Sequence, residues 1–487
     1  MKIYTFLIAL FLSLQVSAQP FLWAKSYDFP NCNEIAALSV DEQGNIFACG
    51  IFEAPPTLPY NGKAYLMKTD AAGRSLWSYE IHTDLIIGDM AVVDGGALII
   101  GQSVGSVSYR GEGFGSSGFF MFAMMIDADA NLLWYFTDDT KYGANTHISI
   151  GNTETIALHI RGQSNLGDWI MIIDRQGNVL KQKLLSATHT LVADMAYYNN
   201  KVFINGGFNG NNPILIDTIL IELPPVENAS ITMGFDAELT AQWLYTDQTI
   251  NNRDGRIVAD QDGLYVYEEV LTPPFNIIHS IKKFSHEGML LASEQVPVFQ
   301  NAPTLYPDMA ITPARILLFA QNNFSFSSHK LFVYDHALNL VNQKPVEGPS
   351  HPYSGQVASL GEDIYIAHVF SGTLNFDNEL MLPYSGTGKQ LYIALAGEPI
   401  TIGMEDSASE NQEIIIYSDP NGRWLEISAH QQVVGCKLYA LSGQLIAAQK
   451  FRAQTYRLPI DHLKVGFYIL QAECSSGATI ARKIMVR

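Results

Sequence analysis

Charge is scarce in this sequence. Asp, Glu, Lys and Arg together make up 16% of 487 residues, well under the usual fraction of about a quarter. Basic residues are the scarcer kind, 29 against 48 acidic, for a formal net charge of −19. That balance disfavours a nucleic-acid partner, which needs clustered Lys and Arg against its phosphates. Cysteine is limited to Cys32, Cys49, Cys436 and Cys474. With no C-x-x-C pair among them, neither a dithiol redox motif nor a cysteine-rich zinc site is supported. Apolar runs stay too short to span a bilayer, so no transmembrane segment is expected in the mature chain. Long stretches of 3.6-residue periodicity are missing as well, which argues against a helical solenoid.

What is present points to strands and turns. Hydrophobic residues reach 47%, aromatics 11%, and there are 38 glycines. That mixture suits many short strands joined by tight turns. The first residues have the layout of a cleaved signal peptide over 1–18. Lys2 supplies the positive leader, Thr5 to Leu14 the apolar core and Val16-Ser17-Ala18 the small-residue cleavage site. Export permits disulfides. Cys32–Cys49 and Cys436–Cys474 are the local pairings, although order alone does not determine connectivity.

Two patterns alternate through the next stretch. One is an Asp-led turn followed by a strand with Trp: Asp70-Ala-Ala-Gly-Arg-Ser-Leu-Trp77, Asp127-Ala-Asp-Ala-Asn-Leu-Leu-Trp134 and Asp236-Ala-Glu-Leu-Thr-Ala-Gln-Trp243, with weaker copies at Asp174, Ser285 and Asp335. The Asp carboxylate can accept backbone N–H groups across such a turn. The other pattern is a strand, a turn and a second apolar strand. It begins near Ile35, Ile86, His147, Leu191, Arg256, Asp308 and Gln356. Seven copies spaced about fifty residues apart, with four strands per copy, predict a seven-bladed β-propeller over 19–398. Six or eight blades are the neighbouring counts, and a series of sandwiches is the alternative. Phe21-Leu-Trp23-Ala-Lys-Ser-Tyr27 resembles Ser75-Leu-Trp77-Ser-Tyr79 without its turn. It is expected to complete the last blade beside 390–397 and so remove an exposed edge. The strand tryptophans read as packing between blades before they read as a sugar platform.

The motifs Asp41-Glu-Gln-Gly44-Asn45-Ile-Phe-Ala-Cys-Gly50 and Asp70-Ala-Ala-Gly73-Arg-Ser-Leu-Trp77 resemble the propeller repeats of secreted bacterial proteins. The resemblance covers about 21–397 and implies a fold but no catalytic residues. After an acidic linker at 399–412 the period breaks, and 413–487 reads as a small β-sandwich of six or seven short strands. Here Tyr417-Ser418-Asp419-Pro420-Asn421, Ser442-Gly443-Gln444 and Leu463-Lys-Val-Gly466-Phe-Tyr468-Ile-Leu470 are followed by a basic, apolar final strand with Lys483. This segment is similar to the C-terminal sorting domain carried by cargo of the type IX secretion system of Bacteroidota. It departs from the usual Y-P-N-P opening at Ser418 and Asp419. The resemblance implies export across the outer membrane, a location at the cell surface or outside the cell, the type IX machinery as partner and attachment to surface lipopolysaccharide. It marks Tyr417, Pro420, Asn421, Gly443, Leu463, Gly466, Tyr468 and Lys483 as sorting-motif residues. Gly443 and Gly466 also have a plain structural use as tight-turn positions.

No motif for chemistry stands out. Asp127, Asp129 and Asn131 have the alternating spacing of a calcium loop but lack its Gly and distal Glu, so a turn is the better reading. Asp138-Asp139 and Glu268-Glu269 are adjacent, and neighbours on a strand face opposite sides. His147 and His159 read as ordinary packed histidines. Walker, H-E-x-x-H and G-x-S-x-G motifs are missing. No cofactor, metal or catalytic residue is assigned. Two classes stay open: a non-enzymatic surface scaffold that binds a protein or glycan, and a secreted polysaccharide hydrolase or lyase. The second requires convergent carboxylates, or a His, Tyr or Arg group, at the propeller channel. The segments 110–119, 211–229 and 270–277 are the candidate rim loops.

Overall fold

A computed structural model describes residues 21–397 and 414–486, except 30–31, 54–62, 116–117, 152–153, 163–166, 186–189, 210–213, 222–227, 248–254, 273–275, 298–303, 323–327, 350–354, 379, 384–387, 419–423, 441–444, 461–462, 464–465 and 476–478. The expected signal peptide and linker lie outside the described residues. The described chain is all-β, and none of it is helical. It falls into two compact units that meet in sequence at Ala396 and Gly397.

Among its described residues the first unit holds seven antiparallel sheets built on a core of four strands, and a separate two-stranded one of Ile214–Ile216 and Ile219–Ile221. Sheet 1 comprises Cys32–Val40, Ile46–Phe52, Lys63–Thr69 and the first half of Ser75–Val93. The second half of that long strand opens sheet 2, which continues with Gly96–Tyr109, Phe119–Ile126 and Leu132–Asp138. Sheet 3 is Lys141–Ile150, Thr155–Gly162, Asp168–Asp174 and Val179–Leu184. Sheet 4 is Thr190–Tyr198, Lys201–Asn209, Asn228–Phe235 and Ala241–Asp247, and sheet 5 is Arg256–Asp260, Gly263–Thr272, Asn276–Phe284 and Leu290–Gln295. Sheet 6 has Thr304–Ile311, Ile316–Asn322, Ser328–Tyr334 and Leu340–Glu347, extended by Leu374–Phe376 and Leu380–Leu382. Sheet 7 is Gln356–Leu360, Asp363–Phe370, Gln390–Ala396 and Phe21–Tyr27. The chain's first described strand thus pairs antiparallel with the last strand of the repeats, with Lys25 opposite Ile393.

The first strand of each sheet lies against the first strand of the next, and that of sheet 7 returns to that of sheet 1. Packing follows the same order. Apolar clusters join sheets 1 and 2 around Phe47, Ile99 and Phe122, sheets 2 and 3 around Leu98 and Ile160, and sheets 3 and 4 around Ile172 and Ile204. Others join sheets 4 and 5 around Phe203 and Val266, 5 and 6 around Tyr267 and Phe332, and 6 and 7 around Val333 and Tyr392. Middle strands covered on both faces are continuous apolar runs: every residue of Ile46–Phe52 is buried. Outer strands alternate, as Leu132–Asp138 does. A fully buried side chain of this size contributes about 1.5–3 kcal/mol, so two-sided burial explains why charge is scarce here.

The Asp turns form as expected. Asp41 Oδ1 accepts the N–H groups of Gln43 and Asn45 at 3.0 and 2.7 Å, and Asp127, Asp174, Asp236 and Asp335 repeat the arrangement. The calcium-like spacing of Asp127, Asp129 and Asn131 is one of these turns. Asp174 is held below its ordinary pKa by the Asn178 side chain and then by backbone N–H groups.

Three expectations are corrected. Cys32, Cys49 and Cys436 are free, buried thiols. The register places Cys32 opposite Phe52 and Cys49 opposite Ala37, so neither faces the other. Cys436 lies opposite Ala472, while Val433 lies opposite Cys474. Burial pushes the Cys32 thiol to about 12 and the Cys436 thiol to about 11, which leaves them unreactive. Residues 270–277 are also no long loop: Leu271 pairs with Ile277 and Thr272 with Asn276, so two strands run on to a short connection. Last, the described residues of the C-terminal unit form five strands, Ile414–Ser418, Trp424–Ala440, Leu445–Pro459, Gly466–Cys474 and Thr479–Val486. The expected short runs merge because Trp424–Ala440 continues through register shifts between Ser428 and Gly435, where irregular pairing lets one strand bend and go on. Its core gathers Leu425, Ile427, Val433, Leu438, Leu458 and Leu470.

Candidate functional site

The first strand of each sheet, called its inner strand because these strands contact one another in cyclic order, carries the candidate groups. Seven residues occupy one register level, each opposite the second strand of its own sheet: Ala37, Asp89, His147, Asp194, Arg256, Asp308 and Gln356. Irregular pairing falls just before Asp89, Asp194 and Asp308, as it does before Ala37 and His147. Asp194 and Asp308 keep side-chain exposures of 16% and 19%. They reach solvent, yet the strands around them wall them in.

Their oxygens are already committed. Asp89 accepts Met90 N–H at 2.7 Å through Oδ1 and Ile148 N–H, from sheet 3, at 2.7 Å through Oδ2. Asp194 accepts Met195 N–H at 2.8 Å and, from sheet 5, Ile257 N–H at 2.9 Å. Asp308 accepts Val357 N–H from sheet 7 at 2.8 Å. Each carboxylate therefore clasps the inner strand of the following sheet. Serines bridge the intervening seams: Ser39 Oγ accepts Val92 N–H at 3.2 Å and Ser149 Oγ accepts Tyr197 N–H at 2.8 Å. Between sheets 5 and 6, Arg256 Nε stands 3.9 Å from Asp308.

Burial raises the Asp89 carboxyl to about 8 and that of Asp308 to about 6 against the pull of these donors and, for Asp308, of Arg256. Asp194 is raised too, again by burial first. His147 is held well below its ordinary value by burial, then by His159 and Arg256, so it is neutral. Its Nδ1 lies 3.3 Å from Asp194 Oδ1. The structure brings His147 and His159 together as a stacked pair with ring centroids 5.6 Å apart, a relation that their spacing in sequence did not show. His159 Nε2 is 3.7 Å from Asp168. The recurring triplets Asp89-Met-Ala, Asp194-Met-Ala and Asp308-Met-Ala were the signal that could have found this belt.

Glu268 and Glu269 part company as strand geometry demands. Glu268 Oε2 accepts Lys282 Nζ at 2.8 Å, while Glu269 lies 3.6 Å from His279. Asp138 accepts Thr140 N–H at 2.8 Å and pairs with Lys141.

The tryptophans do what packing predicts. Trp77 donates its indole N–H to Ala128 carbonyl at 3.0 Å, Trp134 to Arg175 carbonyl at 2.8 Å and Trp243 to His286 carbonyl at 3.0 Å. Each acceptor is the second residue of the Asp or Ser turn in the next sheet. The turn glycines Gly177 and Gly288 have φ of +82° and +85°, and a Cβ on either would strike the Trp ring above it. Gly73, in sheet 1, meets Trp23 of sheet 7 in the same way.

In the C-terminal unit, Tyr417 lies in the first strand and pairs with Glu426. Leu463 and Tyr468 pack on its core. Gly466 starts the fourth strand opposite Val486, and Lys483 lies opposite Ile469. Pro420, Asn421 and Gly443 fall outside the described residues. Among the described residues no helix is long and apolar enough to cross a membrane.

No curated protein matches the chain. Among solved structures it is similar to polysaccharide lyase Uly1, with a TM-score of 0.46 and 11% identity over 76% of this chain and 91% of the other. It is also similar to the β-propeller domain of the Trilobed protease from Pyrococcus furiosus, with a TM-score of 0.37 and 11% identity over 77% and 97%. A europium-containing methanol dehydrogenase gives 0.43 and 9% over 85% of each chain. Likeness at this level transfers no activity. The family model described as the secretion system C-terminal sorting domain matches residues 415–487. The chain therefore ends in a type IX sorting domain, which makes it a secreted protein of the cell surface or the extracellular space.

Proposed function

We propose that the protein is a surface-displayed seven-bladed β-propeller that serves as a binding scaffold for a protein or glycan, exported by a Bacteroidota type IX machinery. Residues 413–487 form its sorting sandwich and lead to lipopolysaccharide attachment or release. The cyclic order of the inner strands supports the blade count. The register shifts between Ser428 and Gly435 support a sheet folded onto itself. Tyr417, Pro420, Asn421, Gly443, Leu463, Gly466, Tyr468 and Lys483 carry recognition by the export machinery in this reading.

One observation favours a scaffold over an enzyme. The inner carboxylates that a hydrolase or lyase would need as acid and base instead have their oxygens occupied by backbone N–H groups. Deleting 413–487 should leave the rest of the chain behind the outer membrane in cell fractionation; unchanged surface display would refute the export reading. The mature chain, screened against glycan and protein panels, should retain a ligand without turnover. Product release that disappears in Asp194→Asn would instead establish the polysaccharide-active alternative.

A further inference from the structure

Where sheets 5 and 6 meet at their turns, three side chains converge. Asp260 and Asp262 belong to the turn between the first two strands of sheet 5, and His336 to the Asp turn of sheet 6. His336 Nδ1 lies 2.9 Å from Asp262 Oδ2 and 3.3 Å from Asp260 Oδ2. All three donor atoms fall within 4.8 Å of one another. The other oxygen of Asp260 is occupied by the N–H groups of Asp262 and Gly263, at 2.8 and 3.2 Å, which leaves Oδ2 turned to the histidine.

His336 Nδ1 stands at hydrogen-bond distance from Asp262 Oδ2, and its Nε2 is 3.3 Å from the carbonyl oxygen of Thr312. Nδ1 thus faces two carboxylate oxygens, and a positive charge held among the three atoms, a proton or a metal ion, satisfies them together. In the corresponding seam of sheets 2 and 3 a side chain supplies the positive charge: Arg175, the residue after Asp174, forms an ion pair with Asp94. Between sheets 5 and 6 a histidine replaces the arginine, and two carboxylates replace one.

A second observation lies beneath the cluster. Tyr265 is fully buried with its ring edge-on to His336 at 5.6 Å, and its hydroxyl has no hydrogen-bond partner. Lys283 stands over the Tyr265 ring at 5.3 Å, with its ammonium committed to the His336 carbonyl.

We infer that Asp260, Asp262 and His336 form a divalent transition-metal site, of the zinc class, that bridges the turns of sheets 5 and 6. Donors about 2.0–2.2 Å from a tetrahedral metal stand about 3.3 Å apart, the scale of the contacts around Nδ1. An imidazole donor favours zinc over calcium or magnesium, which take oxygen ligands. Asp262 is 48% exposed, so the metal has an entry path and an open side for water.

The test uses the full mature chain, stripped with chelator and titrated with Zn²⁺ or Ca²⁺ by calorimetry, with thermal melting in parallel. One equivalent of Zn²⁺ should bind and raise the melting temperature, and Ca²⁺ should not. Asp262→Asn and His336→Arg should each weaken Zn²⁺ binding by about tenfold or more, since loss of an outer-shell partner alone costs that much. His336→Arg should stay folded, because it rebuilds the Arg175–Asp94 arrangement; if it does not, Asp262→Asn at its half-exposed position still decides. Zn²⁺ binding unchanged in both variants, preference for Ca²⁺, or absence of binding with nitrogen NMR showing Nδ1 protonated at neutral pH would each overturn the assignment. The last would mean that a proton supplies the cation.

Discussion

At their inner edges neighbouring sheets are joined by carboxylates and hydroxyls that accept backbone N–H groups. At their outer edges they are joined by indole N–H groups that donate to backbone carbonyls. The two fastenings differ in what removal leaves behind. An inner N–H deprived of Asp194 or Asp89 stays enclosed among strands, and an unsatisfied buried donor costs about 1–3 kcal/mol. An outer turn carbonyl deprived of an indole can turn to water. The inner belt should therefore carry more stability per bond.

The most severe way to break the comparison is Asp194→Ala. It strands the N–H groups of Met195 and Ile257 and should cost about 2–5 kcal/mol, read from urea unfolding. A loss below 1 kcal/mol would show that the clasp is decorative.

The pH response ranks next. Folded Asp89 keeps its proton up to about 8, whereas the unfolded chain releases it near pH 4. Between those values the folded state binds the extra proton, so stability falls as pH rises through the window. Glu34, raised by burial to about 7, and Asp308 act with the same sign. Asp89→Asn should gain ground on the parent between pH 5 and 8; a constant difference in urea midpoint would sink the idea.

On the outer edge, Gly288→Ala places a Cβ at φ +85° against the Trp243 ring and should cost about 1–3 kcal/mol. Trp243→Phe keeps most of the ring contact and loses one hydrogen bond, for about 0.5–1.5 kcal/mol. If Trp243→Phe proved as costly as Asp194→Ala, the ranking of inner over outer edges would be wrong.

Local chemistry explains which features were legible in advance. An Asp that accepts N–H groups two and four residues later writes its whole geometry into five consecutive letters, so the turns could be read directly. The tryptophans could be assigned to packing because they recur in phase with those turns. The cysteines misled because closeness in sequence says nothing about register: on paired strands, a shift of a few residues separates two thiols that look like neighbours. The inner belt was written in the chain as Asp-Met-Ala three times, but its meaning depends on a partner 49 to 63 residues away, in another sheet.

By itself, then, the sequence determined the all-β class, the repeat and the C-terminal export label, because each rests on short-range periodicity or a contiguous motif. Only the tertiary structure decided which carboxylates clasp strands and which converge on His336. Asp260 and His336 come from different sheets, and only sheet-to-sheet packing brings an imidazole and two carboxylates within coordination distance.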